Sequence, residues 1–160
     1  MPLVGGFRET PRDPVRPFTY TNGMAPALEY DARYLAGIVL FNRGEYFAAH
    51  EVWEDLWRAC PTADRRFYQS LIQAAVALYH WGNGNRTGAN DLFAAGSAKT
   101  GPYRPTHLGL NLDRFWADVA DNLTDEPPAS RPTIGLVPQP VSWPVPPAAA
   151  GRRRETDHDR

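Results

Sequence analysis

The side chains most able to do chemistry lie in one short stretch of the sequence. His50 and Glu54 are four residues apart, so on a helix they are neighbours on one surface. A carboxylate beside an imidazole makes an acid/base pair, because a low-dielectric environment moves the proton affinities of both groups away from their solution values. Trp53 and Trp57 flank the pair, which indicates that it belongs to an aromatic face. Polar groups placed there must find partners or they cost stability.

A helical projection at about 100° per residue separates the polar residues of this stretch. It places His50 and Glu54 on one inward arc, together with Trp57, which would form a wall of the site. Glu51 falls at the edge of the opposite, solvent-facing arc, so it could turn toward the site or face water. The H-E-x-x-E signature therefore reduces to an inward catalytic pair, His50 and Glu54, with Glu51 as a secondary candidate.

A second polar stripe lies on the next predicted helix. Gln73 and His80 are seven residues apart, a spacing that keeps both side chains on one helix face. If this stripe meets the face of His50 and Glu54, the two helices enclose a cluster of His, Glu and Gln side chains. In that arrangement the first pair does the acid/base chemistry, while His80 and Gln73 bind and orient a substrate or a water molecule.

This cluster has three interpretations, which the sequence leaves open. A network that only fixes the register of two helices is common among buried polar groups. A small-molecule-binding or hydrolytic pocket is favoured by the coincidence of two independent inward stripes. Two histidines with one or two carboxylates could also bind a divalent transition metal. Their spacing, however, matches neither the zinc-protease H-E-x-x-H pattern nor the paired Glu-x-x-His units of a di-iron bundle. The sequence therefore identifies no cofactor, no particular metal and no reaction.

Helical periodicity surrounds both stripes. Five helices are predicted, at about residues 27–42, 45–59, 63–81, 86–99 and 106–123. Thr62 and Thr106 are the predicted N-caps of the third and fifth, and a glycine, Gly44, ends the first. Because the connections are short, consecutive helices should pack antiparallel. The predicted fold is all-α, a compact bundle of about five helices.

Prolines divide the chain into three parts. Five of the sixteen lie in residues 1–26 and eight in residues 127–147. We therefore predict an extended N-terminal arm over residues 1–26, a helical bundle domain over 27–123, and a Pro/Arg-rich, largely disordered tail over 124–160. Some apolar tail residues could dock on the domain: Ile134, Leu136, Val137 and Trp143.

Composition limits the class of protein. A chain of 160 residues suits one domain with tails, and a net charge of −1 gives no field to recruit nucleic acid or an anionic membrane. With Cys60 as the only cysteine, an intramolecular disulfide is impossible and a reducing compartment fits best. No secretory signal and no segment of ~20 apolar residues is visible, so we expect a cytoplasmic location. A small-molecule ligand and a homo-oligomer are both compatible with these features, and the oligomeric state stays open.

Three runs of the sequence resemble domain-of-unknown-function family 309: FNRGEYFAAHEVWEDLW, RRFYQSLIQAAVALYHWGNGNRTGA and YRPTHLGLNLDRF. That family is typified by an FN-x-G-x-(Y/F)-x-x-x-H-E-x-x-E-x-x-W helix and an L-I-Q-x-x-x-A-x-x-H helix. The match covers about residues 30–123 and departs from the family's pattern at Asn111, where an acidic residue is expected. The resemblance implies a compact helical bundle with a shared inward polar cluster, and no established activity.

Two functions remain as alternatives. The first is a small-molecule-binding or hydrolytic pocket between the second and third helices. The second is a non-catalytic helical module that binds another protein with a groove or with the Pro-rich tail, in which the polar cluster is structural. Whether the protein is an enzyme does not follow from the sequence.

Overall fold

The computed structural model describes residues 29–146, and it confirms the predicted all-α bundle. Five helices are present in this range: α1 (Ala32–Asn42), α2 (Tyr46–Ala59), α3 (Arg65–Gly82), α4 (Arg86–Lys99) and α5 (Leu112–Asp121). Between α4 and α5 lie a short 3-10 helix, Gly101–Tyr103, and an antiparallel hairpin of β1 (Thr106–His107) and β2 (Leu110–Asn111). None of the helices in residues 29–146 combines the length and apolar character needed to cross a lipid bilayer.

A tight reversal joins α1 to α2. Asp31 caps the start of α1, where its carboxylate accepts a hydrogen bond from the N–H of Arg33. At the other end, Gly44 adopts a φ of 82°, and the N–H of Glu45 donates to the carbonyl oxygen of Leu40. This is the glycine-terminated helix end that the sequence predicts. The reversal brings α2 back along α1.

Residues of α1, α2, α3 and α5 form the core, and one part of it lies where α1, α2 and α5 meet. Trp53 is fully buried, and its indole N–H donates to the carbonyl oxygen of Tyr34. Gly37 makes this approach feasible, since a Cβ there would lie 2.0 Å from the indole nitrogen. The ring of Phe41 packs against both Trp53 and Phe115 and so links the three helices. Trp53 therefore determines which face of α2 points inward.

Three predicted helix starts are wrong. Helix α1 is predicted from about residue 27, but residues 29–31 are not helical and the cap, Asp31, places its start at Ala32. The N-cap of α3 is Asp64, although the hydroxyl of the predicted cap, Thr62, accepts the N–H of Asp64. Helix α5 begins at Leu112, because the β1–β2 hairpin takes up the six residues from Thr106 onward. Asn111 caps α5 with its side-chain oxygen, a role that an acidic residue also fills well.

The chain after α5 returns to the bundle. Ile134 and Leu136 are buried, so the docking predicted for them is confirmed, whereas Val137 and Trp143 are exposed. The predicted arm over residues 1–26 and the tail beyond residue 146 lie outside the described residues. The division of the chain at residue 123 stays a prediction.

Candidate functional site

Helix α2 brings His50 and Glu54 together. The Nε2 atom of His50 lies 3.9 Å from Oε1 of Glu54. The other ring nitrogen, Nδ1, lies 2.8 Å from the carbonyl oxygen of Phe47. Because a carbonyl can only accept, the geometry assigns the proton of the neutral imidazole to Nδ1. Nε2 then directs its lone pair toward the same space as the carboxylate oxygen.

This pair is partly open to solvent. The side chains of His50 and Glu54 are 18% and 34% exposed, so they lie beside the core rather than inside it. The residues that α2 buries are Ala49, Trp53 and Leu56. Arg58 places Nη2 3.7 Å from the second oxygen of Glu54, but this ion pair is too exposed to contribute much stability. Glu51 is half-buried and forms no hydrogen bond or ion pair within residues 29–146.

Aromatic rings separate His80 from this pair. The ring of Phe47 lies 4.9 Å from the imidazole of His50 and 5.2 Å from the ring of Tyr79, measured between centroids. Tyr79 in turn lies 6.1 Å from the imidazole of His80. Across the described part of the chain, no hydrogen bond or ion pair joins His80 to His50 or Glu54. His80 is therefore connected to His50 only through successive ring contacts, by way of Tyr79 and Phe47.

Trp57 and Gln73 make their closest contacts elsewhere. The ring of Trp57 lies 4.4 Å from the guanidinium carbon of Arg65, a cation–π contact. Gln73 faces α4, since a Cβ on Gly96 would lie 3.1 Å from the Cβ of Gln73 and 2.7 Å from the ring of Trp116. Within residues 29–146, Oε1 of Gln73 and the indole nitrogen of Trp116 are buried without a hydrogen-bond partner. Of the four polar residues predicted to meet in the cluster, only His50 and Glu54 interact directly.

A second pair of histidine and carboxylate was not predicted from the sequence. Nε2 of His107 lies 2.7 Å from Oδ1 of Asp64, a full hydrogen bond between two partly exposed side chains. The imidazole packs against the rings of Phe67 and Tyr103, with centroids 4.7 Å from each. The two residues are 43 positions apart, so no helical spacing announces them. The one available signal is the histidine of the P-T-H-L-G run.

Buried tyrosines lie near this second pair. Burial raises the pKa of Tyr68 above its ordinary value, and the carboxylates of Asp64 and Asp31 raise it further. Burial also raises the pKa of Tyr34 well above its ordinary value. The hydroxyl of Tyr34 donates to the carbonyl oxygen of Leu108 at 2.9 Å. Both phenols therefore keep their protons at neutral pH and cannot act as bases there.

Neither pair makes a complete metal site by itself. Residues 29–146 contain no group of three or more His, Cys, Asp or Glu side chains arranged to hold a metal ion. Each pair supplies two donor side chains, whereas a catalytic zinc site uses three protein ligands. The chemistry that these residues can perform without further ligands is proton transfer.

Comparisons with known proteins concern the same helices. Residues 34–92 match the family model described as "Domain of unknown function (DUF309)". The chain is 39% identical over 67 residues to Uncharacterized protein YpuF of Bacillus subtilis (strain 168), an alignment that covers 41% of this chain and 38% of that protein. It is 36% identical over 52 residues to an uncharacterized protein of Aquifex aeolicus (strain VF5), covering 31% of this chain and 16% of that protein.

The chain spans less than two fifths of the length of these curated relatives. The family-model match begins in α1 and extends into α4, so it includes the two helices that carry the predicted polar stripes. The resemblance found in the sequence is thereby confirmed over residues 34–92, which match the DUF309 family model.

Proposed function

We propose that the face around His50 and Glu54 is a small-molecule-binding site that activates water for hydrolysis. The observation that carries this proposal is the convergence of His50 Nε2 and Glu54 Oε1, which lie 3.9 Å apart. An oxygen atom at an ordinary hydrogen-bond distance of about 2.8 Å can reach both atoms. A water or hydroxyl group bound between them therefore meets two proton acceptors at once.

The surroundings of His50 suit it to the role of general base. When Nε2 takes a proton from the bound water, the imidazole becomes a cation. The carbonyl oxygen of Phe47, 2.8 Å from Nδ1, then stabilises that cation and keeps the ring in one orientation. Glu54 adds a negative charge on the other side of the ring. Nε2 can later return the proton to a leaving group, as in other acid/base hydrolases.

The rings beside the pair indicate which ligands fit. Phe47 and Tyr79 border the pair and are both only partly exposed. Aromatic rings bind flat or short apolar groups, while the pair would bind an adjacent ester, amide or hydroxyl. His80, next to Tyr79, would contact the far end of such a ligand. The substrate class that follows is a small ester or amide with an apolar acyl or aryl part.

The decisive variant is Glu54→Gln, with Asp55→Asn as a matched control on the exposed side of the same helix. The probe is p-nitrophenyl acetate, whose hydrolysis is followed by absorbance. We expect the wild type and Asp55→Asn to exceed the buffer rate equally. Glu54→Gln should lose about a hundredfold, the low end of the range for general acid–base catalysis, because it removes the charge that stabilises protonated His50 beside the bound water. Its stability should stay within about 1 kcal/mol, because the ion pairs it breaks are exposed.

Two results would contradict the proposal. One is a Glu54→Gln protein that hydrolyses the probe at the wild-type rate. The other is a clear loss of stability in Glu54→Gln with no change in rate, which is the behaviour of a purely structural network.

A second function is favoured by a different observation. Ile72, Val76 and Tyr79 follow one another at helical spacing along α3 and are only partly buried. A stripe of this kind fits the apolar face of another helix. We infer that, if hydrolysis is absent, the bundle is a non-catalytic interaction module whose first partner to test is a second copy. Sedimentation of the wild type and Val76→Glu checks this: a dimer that becomes a monomer supports it, and two monomers exclude a second copy.

A further inference from the structure

A groove on the bundle, separate from the His50 site, holds an extended piece of chain. Residues 132–138, which we call the docked segment, lie in it. Buried positions alternate with exposed ones along the segment, and the inward side chains are Pro132, Ile134 and Leu136. This is the period of a β-strand with one face against a core. Yet the segment pairs with neither strand of the only sheet found in residues 29–146.

A side-chain amide takes the place of a neighbouring strand. Asn42 Nδ2 donates to the carbonyl oxygen of Ile134 at 3.0 Å, and Asn42 Oδ1 accepts the N–H of Ile134 at 2.7 Å. Farther along, the N–H of Val137 donates to the carbonyl oxygen of Gly109 at 2.9 Å. The hydroxyl of Tyr30 donates to the carbonyl oxygen of Pro138 at 2.6 Å. All four bonds go to the main chain of the segment, so they recognise an extended shape whatever its side chains.

The docked segment is joined to the helices by a connection with few contacts. Residues 124–131 are exposed throughout. Asp125 forms an ion pair with Arg86, but both side chains are exposed, and such pairs contribute little. The segment can therefore leave the groove without drawing a helix away from the core.

The groove has room that its present occupant does not use. A cleft of about 280 Å³ lies between the docked segment and α5 and is lined by Arg114, Asp118 and Gly135, among others. A second cleft of about 300 Å³ continues along the same helix. A Cβ added to Gly135 would meet no atom within 4 Å. A larger side chain at this position would thus enter a cleft that carries both an acidic and a basic group.

We propose that this groove is a recognition site for an extended segment of another protein, and that residues 132–138 occupy it in cis as a competitor. The partner would supply three apolar side chains at alternate positions and a larger polar one at the place of Gly135. Its main chain would take the four bonds now made to the docked segment. The part of the chain that matches the DUF309 family, residues 34–92, contains Asn42 but not the docked segment. Asn42, which binds the main chain of the docked segment, thus lies in the part of the chain that matches the family model, while the docked segment lies outside it.

The first experiment releases the docked segment in the full-length chain. Ile134→Asp with Leu136→Asp puts two carboxylates into apolar pockets and should expel the segment. The probe is a fluorescein-labelled peptide of residues 131–140, RPTIGLVPQP, and binding is measured by fluorescence anisotropy. We expect at least tenfold tighter binding to this double variant than to the wild type, because the tethered segment competes at an effective concentration of about millimolar.

Two matched controls locate the binding. A peptide with Asp at both inward apolar positions, RPTDGDVPQP, should not bind. Adding Asn42→Ala to the double variant should weaken binding of RPTIGLVPQP at least fivefold.

A peptide with Arg in place of Gly135 should bind more tightly than the natural sequence, because the added side chain can reach Asp118 across the cleft. Equal binding of RPTIGLVPQP to the wild type and the double variant, or to neither, would overturn the proposal.

A second experiment keeps the native segment, in case the double variant does not fold. A protease site inserted at residues 126–129 is cleaved in the folded protein, and the mixture is passed over a sizing column with and without 1 mM unlabelled peptide. Displacement of the C-terminal fragment by the peptide supports the proposal. A fragment that the peptide cannot displace overturns it, as would a concentration-dependent dimer that forms through exchange of the segment and excludes the peptide.

Discussion

Replacing Asn42 by Ala tests most directly what holds the C-terminal chain on the bundle. The change removes an amide that makes two hydrogen bonds to the main chain of Ile134, at 3.0 and 2.7 Å. Ile134 is buried, so water cannot replace these bonds unless the segment moves. Each lost bond costs about 0.5–1.5 kcal/mol, and each buried group left unpaired about 1–3 kcal/mol. We expect the free energy of unfolding to fall by about 2–4 kcal/mol.

This loss has an upper limit, which is the free energy of docking itself. If the free energy lost in Asn42→Ala exceeds the free energy of docking, the segment detaches. A further substitution within the segment then has no effect on stability. Ile134→Ala alone should cost about 2–5 kcal/mol if the segment stays docked. In the Asn42→Ala background, the same substitution should cost clearly less, because the two residues act on one docking equilibrium.

Urea denaturation followed by tryptophan fluorescence measures the global effect, and hydrogen exchange of the Ile134 and Val137 amides reports the local one. Asn83→Ala is the matched control: it also lies at the end of a helix, is exposed, and makes no side-chain hydrogen bond within the range that the structure describes. A loss below about 0.5 kcal/mol in Asn42→Ala, with the Ile134 amide still protected, would refute the reasoning.

Four further substitutions have separate expected outcomes. Gly135→Ala should raise the free energy of unfolding by about 0.4–1 kcal/mol in urea, since the added Cβ has space and the unfolded chain loses freedom. Gly109→Ala should lower it, because φ is +79° and the Cβ would lie 2.4 Å from the Tyr30 hydroxyl. Gln73→Met should leave thermal stability unchanged or raise it, because the buried Oε1 has no partner in residues 29–146; a marked fall would show that Gln73 has one. Tyr68→Phe should make stability less sensitive to alkali. The raised pKa means that the folded state holds a proton which the unfolded chain releases near pH 10, so this stability is present below that pH and is lost as the pH rises toward the folded pKa. Urea titrations at pH 7 and pH 11 check this, and equal losses in both proteins would contradict it.

The limits of α4 could be predicted because an N-cap residue type, Asn85, precedes the helix and Gly101-Pro102 follows it. The predicted range, about 86–99, agrees with Arg86–Lys99 despite two internal glycines. For α5 the signals compete. Thr106 has the chemistry of an N-cap, but Gly109, at a positive φ, turns the chain into a hairpin, and Asn111 provides the cap actually used. Local sequence does not determine which of two acceptable caps the tertiary structure selects.

The candidate site was predictable only within single helices. The spacing of His50 and Glu54 is enough to place them side by side on α2. The rotation of each helix in the bundle depends on its neighbours, however. Trp53 takes the fully inward position on α2, and Gly96 allows α4 to approach α3 at Gln73. Periodicity within one helix contains no information about such an approach, nor about pairs that loops bring together.

The distance in sequence between Asn42 and Ile134, 92 positions, has a consequence during synthesis. All five helices are complete once Asp121 has been made, but the last inward side chain of the docked segment, Leu136, comes later. At ~5–20 residues per second, the ribosome needs about one to three seconds to add the intervening residues. During that time the groove of each nascent chain is open. Every newly made copy therefore passes through a brief period in which another polypeptide can bind in the groove. This period ends when the chain's own docked segment occupies it.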